Sequence, residues 1–137
     1  MGVYFIDPDD AIRDAASLVF AGLDHQAFCY PDGEAFFNEA SPTVGDVVFV
    51  ELLLPRLIRG ATVINWLRSM KRAPHIVAMS GAPMSSIQLE LRGLKGGTIH
   101  VLRKPLSRSE IRDQLSRAPN IVPEQDGPSL WLPPRRQ

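Results

Sequence analysis

The sequence contains one cysteine, Cys29, in 137 residues, so no internal disulfide can form. That usage points to a reduced, cytoplasmic setting. No apolar run approaches the ~20 residues needed to cross a bilayer. No basic stretch precedes the apolar Val3-Tyr4-Phe5-Ile6, and Asp7 follows too early for a signal peptide. Position six is Ile6, where myristoylation after Gly2 favours serine or threonine. Neither sign of charge is in excess: 15 Lys and Arg balance 15 Asp and Glu. This speaks against nucleic acid or an anionic membrane as the principal partner. Gly-x-Gly-x-x-Gly is absent after the first apolar run, which leaves a nucleotide or flavin cradle there without support.

What is present is an ordinary globular composition, 45% hydrophobic and 22% charged, on a chain of single-domain length. Short apolar runs alternate with helix-like stretches. Val3–Ile6, residues 26–30, Val47–Val50, residues 76–79 and residues 99–102 read as strands. Val47–Val50 is apolar at every position, the mark of a strand buried on both faces of a parallel sheet. Ile12, Ala15, Ala16, Val19 and Leu23 share one face of a first helix. Asp32 is placed to cap a second helix burying Phe36, Phe37 and Ala40. Val63, Leu67 and Met70 carry a third helix, and Met84, Ile87, Leu91 and Leu94 a fourth, closed by Gly96-Gly97. Ser107-Arg108-Ser109-Glu110 is a capping box that opens a fifth with Ile111, Leu115 and Ala118. The alternation predicts an α/β fold, an open parallel sheet with helices on both faces. Residues 119–137 contain Pro119, Pro123, Pro128, Pro133 and Pro134 and read as a proline-rich tail after a body over residues 1–118.

In such a sheet, ligands bind beyond the carboxyl ends of the strands, at the point where strand order reverses. The polar residues at those ends are Asp7, Asp9 and Asp10 after the first strand, Glu51 after the third, Ser80 after the fourth and Lys104 after the fifth. Carboxylates, a hydroxyl and an ammonium converging at one edge compose a site for a phosphoryl group and a hard cation.

At these positions the chain resembles the receiver domains of bacterial two-component response regulators. The matching residues are Asp7 followed by Ala11-Ile12-Arg13, Glu51 with Pro55 four residues later, Ser80-Gly81-Ala82, and Gly97 seven residues before Lys104-Pro105. The resemblance spans residues 3–118 and implies a flavodoxin-like (βα)5 fold with a five-stranded sheet, along with a cis peptide before Pro105. It also implies that Glu51 stands at the phospho-acceptor position, normally aspartate, with Ser80 as the switch hydroxyl and Lys104 as the charge-sensing cation. Two departures fall on the chemistry. Pro8 stands where a magnesium-binding acid is usual, leaving Asp7 and Asp9 as the acids such an ion would draw on. Glu51 also carries its carboxylate one methylene further out than aspartate, and in-line attack tolerates little displacement. Val101 replaces the switch aromatic, and the loop from Pro55 to Gly60 is one residue longer than the family pattern.

The expected function is therefore an atypical, stand-alone receiver in phosphorelay signalling. It is expected to act by protein–protein contact without the usual aspartyl phosphorylation, with Glu51 paired to Lys104 and no resident cofactor. Its length predicts no DNA-binding output domain after residue 118. The resemblance implies a histidine kinase or downstream regulator as partner. It also implies a homodimer through the fourth helix, fifth strand and fifth helix, a face including Gln88, Arg92, Val101, Arg108 and Arg112. The competing reading is a small magnesium-dependent phosphotransfer or hydrolytic enzyme using Asp7, Glu51 and Lys104, and Pro8 weakens it. His25, His75 and His100 lack metal-ligand spacing and read as structural or surface residues. Cys29 reads as core rather than nucleophile, and Trp66 as packing. Trp131, in Leu130-Trp131-Leu132, reads as an anchor for this domain or for a partner.

Overall fold

A computed structural model describes residues 1–118; the tail and Trp131 lie outside the described residues. Five strands, β1 (Val3–Ile6), β2 (Ala27–Tyr30), β3 (Val47–Glu51), β4 (His75–Ser80) and β5 (Val101–Arg103), alternate with five helices. The helices are α1 (Asp10–Gly22), α2 (Gly33–Glu39), α3 (Gly60–Arg68), α4 (Met84–Leu91) and α5 (Arg108–Ser116). The strands form one parallel sheet in the order β2-β1-β3-β4-β5. Right-handed crossovers on this order put α1 and α5 on one face and α2, α3 and α4 on the other. Period-two alternation then divides the apolar side chains between two cores. Phe5, Phe20, Val47, Phe49, Met79 and Ile111 pack on the α1/α5 side, and Ile6, Phe36, Val48, Val50, Ile64 and Ile87 on the other. The all-apolar reading of the third strand is explained by this division: β3 is buried along its whole length.

The caps are those the residue types favour. Asp32 accepts from the Ala35 N–H at 2.7 Å, and Ser107 and Glu110 close the capping box on α5. Several boundaries differ from the sequence pattern. The fifth strand begins at Val101 rather than residue 99, after a segment gripped from α3. The Arg68 guanidinium takes the carbonyls of Lys95, Gly97 and Thr98 at 2.8, 2.9 and 3.0 Å. Gly96 and Gly97, at φ of 82° and 104°, turn the chain into that grip, a region of backbone space open to glycine. The fourth helix ends at Leu91, and Leu94 packs from the following turn.

The long loop between β3 and α3 is held from α2. One Glu34 carboxylate oxygen accepts from the Leu57 and Ile58 N–H groups, each at 3.0 Å. Desolvation opposes the charge on Glu34, but these backbone donors and the nearby Arg56 outweigh it and hold its pKa below the ordinary carboxylate value. Arg59 donates to the Leu54 carbonyl at 2.8 Å and pairs with Glu90 at 3.1 Å, tying the loop to α4.

Candidate functional site

Strand register assembles the site. Ile6 pairs with Val50, so Asp7 and Glu51 leave neighbouring strands side by side at the reversal of strand order between β1 and β3. Glu51 pairs with Met79 and Ser80 with Arg103, which brings Ser80 and Lys104 to the same edge. The Lys104 N–H then donates to the Ser80 carbonyl at 3.1 Å, and the Lys104–Pro105 peptide is cis.

The Lys104 ammonium lies between two carboxylates. It donates to Asp7 Oδ2 and lies 2.6 Å from Glu51 Oε1. Asp7 and Ser80 are fully buried and Glu51 is 5% exposed, so the charges sit in a low-dielectric pocket where an unpaired ion is costly. The remaining carboxylate oxygens are bound as well: Asp7 Oδ1 accepts from the Asp9 N–H and Glu51 Oε2 from the Leu53 N–H, both at 2.9 Å. Ser80 Oγ accepts from the Ala82 N–H at 3.2 Å. Burial pushes the Lys104 pKa down, but the hydrogen bonds and charge attraction from Asp7 and Glu51 prevail, and it stands above the ordinary lysine value. A raised lysine pKa contributes stability that is complete below the unfolded value, near 10.4, and is lost as pH rises through the folded value. We therefore expect the urea midpoint to hold through neutral pH and fall on alkaline titration, and Lys104→Met to remove that alkaline fall.

Three of the six strand-end residues named from sequence, Asp7, Glu51 and Lys104, thus meet directly, with Ser80 beside them. Asp9 does not join them. Its side chain accepts from the Ala11 and Ile12 N–H groups at 2.9 and 3.3 Å and caps α1, an exposed role that explains its position. Pro8 offers no side-chain oxygen, and among the described residues no three His, Cys, Asp or Glu side chains group so as to hold a metal ion. A magnesium ion requires about six oxygens in near-octahedral array. The site offers two carboxylates already bridged by the Lys104 ammonium, and Pro8 supplies no third acid, so this donor set does not fit one.

Beside the charges the structure opens an apolar groove of about 640 Å³ between α1 and α5. Pro8, Ile12, Ala15 and Val19 form one wall, Leu106 and Ile111 the other, and Glu51, Ser80 and Lys104 its polar end. The helix face shared by Ile12, Ala15 and Val19 is found: Ile12 and Val19 pack against the α1/α5 core, and with the exposed Ala15 they flank the groove. The signal that they flank a groove was their small size at Ala15 and Ala16, which leaves space no neighbour fills. Arg108, assigned from sequence to the α4–β5–α5 face, instead turns towards α1 and donates to the Gly22 carbonyl at 3.2 Å. The cause is the position of Arg108 at the start of α5, against the end of α1. Gln88, Arg92 and Arg112 are exposed, and Val101 packs against the core on the α3/α4 side. His75 is held by Gln114 at 2.8 Å, Cys29 lies 3.3 Å from Ser17 Oγ, and Trp66 packs edge-on to Phe36 and Phe37.

A family model described as the response regulator receiver domain matches residues 3–116 of this chain. The chain belongs to the response regulator receiver family. This membership places the receiver in two-component signalling. It is 24% identical over 116 residues to the tetrathionate response regulatory protein TtrR of Salmonella typhimurium, covering 85% of this chain and 55% of that protein. It is 20% identical over 123 residues to the response regulator TodT of Pseudomonas putida, covering 90% and 53%. The receiver thus spans about half the length of these curated relatives. Among solved structures it is similar in fold to the receiver domain of the sensor histidine kinase PA1611 from Pseudomonas aeruginosa, which holds a magnesium ion in its active site cleft. That match has a TM-score of 0.70 at 17% identity, covering 85% of this chain and 95% of that one. The chemotaxis protein CheY4 of Vibrio cholerae gives a TM-score of 0.64 at 18% identity, covering 85% and 97%. Among the described residues no helix of the receiver is long and apolar enough to cross a membrane.

Proposed function

We propose that this receiver signals by protein–protein contact from a standing Asp7–Lys104–Glu51 ion network, without an aspartyl-phosphate cycle. The observation that supports the reading most is the engagement of Glu51. One oxygen lies 2.6 Å from the Lys104 ammonium and the other takes the Leu53 N–H at 2.9 Å. A carboxylate so held has both oxygens fixed by protein donors, which restrains it from swinging onto the attack line that a nucleophile needs. With Pro8 at the metal-acid position, no cation is supplied to neutralise an incoming phosphoryl group. Lys104 instead keeps a carboxylate partner at all times. A histidine kinase or a downstream regulator is the kind of partner such a domain meets, and the exposed Gln88, Arg92 and Arg112 offer polar contacts for it or for a second copy.

The test is intact mass after incubation with magnesium and acetyl phosphate. No stoichiometric gain is expected for the parent chain, while Pro8→Asp combined with Glu51→Asp is expected to gain one phosphoryl group per chain. A base-labile phosphoryl adduct on the parent, mapped to Glu51, would overturn the reading.

A further inference from the structure

We infer that the groove between α1 and α5 is a binding site for an apolar organic amine, its ammonium seated beside Glu51. The inference rests on the ion network proposed above, and it identifies an input that network can receive. Two carboxylates, Asp7 and Glu51, face one ammonium, Lys104, so the polar end of the groove carries one net negative charge in a largely buried place. One more positive charge completes an alternating set of two cations and two anions, and electrostatic interactions are strongest where water is excluded.

The walls decide which kind of cation fits. Small hydrated metal ions need a cage of oxygens, and here the acid is replaced by Pro8, whose ring lines the groove together with Ile12, Ala15, Val19, Leu106 and Ile111. That surface favours a hydrocarbon body and disfavours a hydration shell. The same proline that removes a metal oxygen thus supplies apolar wall. A volume of about 640 Å³ suits a small organic molecule, since such sites run about 300–1,000 Å³. Acceptors for the ammonium are at hand: each Glu51 oxygen bears a single protein contact at a carboxylate that can accept more. Ser80 Oγ, fully buried at the same end, uses one lone pair on Ala82 N–H and retains another. Occupancy would put a second cation on Glu51 beside Lys104, which couples the groove to the strand ends.

The test uses the full chain labelled with 15N and a matched trio of probes: 4-phenylbutylamine, 4-phenylbutan-1-ol and 4-phenylbutanoate. The readout is the amide shifts of Leu53 and Ala82, whose N–H groups donate to Glu51 and Ser80. The amine is expected to saturate these shifts with at least tenfold higher affinity than the alcohol, and the carboxylate to cause none. Glu51→Gln should erase the amine's advantage over the alcohol. Ala15→Trp, an exposed position on α1, should block both while the fold is kept. Equal affinity for amine and carboxylate, absence of saturation by the amine, undiminished binding in Ala15→Trp, or displacement of the amine by magnesium chloride would each overturn the inference. Phosphorylation of Glu51 in the mass experiment would instead overturn the signalling proposal, so the two failures are distinguishable.

Discussion

Replacing Lys104 with methionine is expected to lower the unfolding free energy by about 3–5 kcal/mol, the usual consequence of removing one partner from a buried ion pair. The effect is large here because Lys104 serves two carboxylates. Without it Asp7, fully buried, and Glu51, 5% exposed, face each other with no counter-ion. Methionine keeps the length and apolar stem of the side chain, so the loss reports charge rather than packing. A double-mutant cycle with Glu51→Gln, read by urea denaturation, checks the cause. Glu51→Gln removes one of the stranded charges, so the double variant should be markedly more stable than the sum of the single losses implies. If the losses simply add, Lys104 is not compensating Glu51.

Gly60→Ala is expected to cost about 3 kcal/mol, the upper end of the range for overpacking. A Cβ there would lie 2.5 Å from the Glu51 carbonyl oxygen, 2.5 Å from Leu52 Cα and 2.6 Å from the Leu52 carbonyl oxygen. All three are backbone atoms of β3 or the residue following it, so no side-chain rotation relieves the contact. The Gly60 N–H also donates to the Leu52 carbonyl at 3.2 Å, which holds the start of α3 against the strand end. Any relief must move the strand end that carries Glu51. Gly81→Ala is the control, because its Cβ would meet Lys104 Cβ at an ordinary 3.6 Å. Thermal or urea unfolding of the two variants should separate them clearly, with Gly81→Ala near the parent.

Much of this molecule is legible in one dimension for local reasons. Helix caps at Asp32 and Ser107 use side chains that bond backbone N–H groups within three residues. Strand character follows from apolar runs whose length and flanking turn residues are visible without tertiary contacts. The places where the pattern misleads are those where distant groups intervene. The segment leading into β5 is gripped by Arg68, about thirty residues away in the chain, which takes the Gly97 and Thr98 carbonyls. Arg108 reaches Gly22 across 86 residues and leaves the face its helix position suggested. The grip of Glu34 on the Leu57 and Ile58 N–H groups has no local signature either, since it depends on α2 lying beside the β3–α3 loop.

The sequence alone determined the α/β alternation, the family resemblance and the identity of the strand-end residues, because these depend on periodicity and spacing along the chain. It also showed that Pro8 and Glu51 depart from the family pattern. The tertiary structure decided what those departures do. Only parallel register at the β1/β3 reversal brings Asp7 and Glu51 onto one ammonium, and only that enclosure makes their charge matter. It assigned Asp9 to a helix cap and exposed the groove, since a void is defined by which side chains fail to meet across space. The physical reason is range: capping and periodicity act within a few residues, whereas desolvation and ion pairing act between groups that chain order keeps apart.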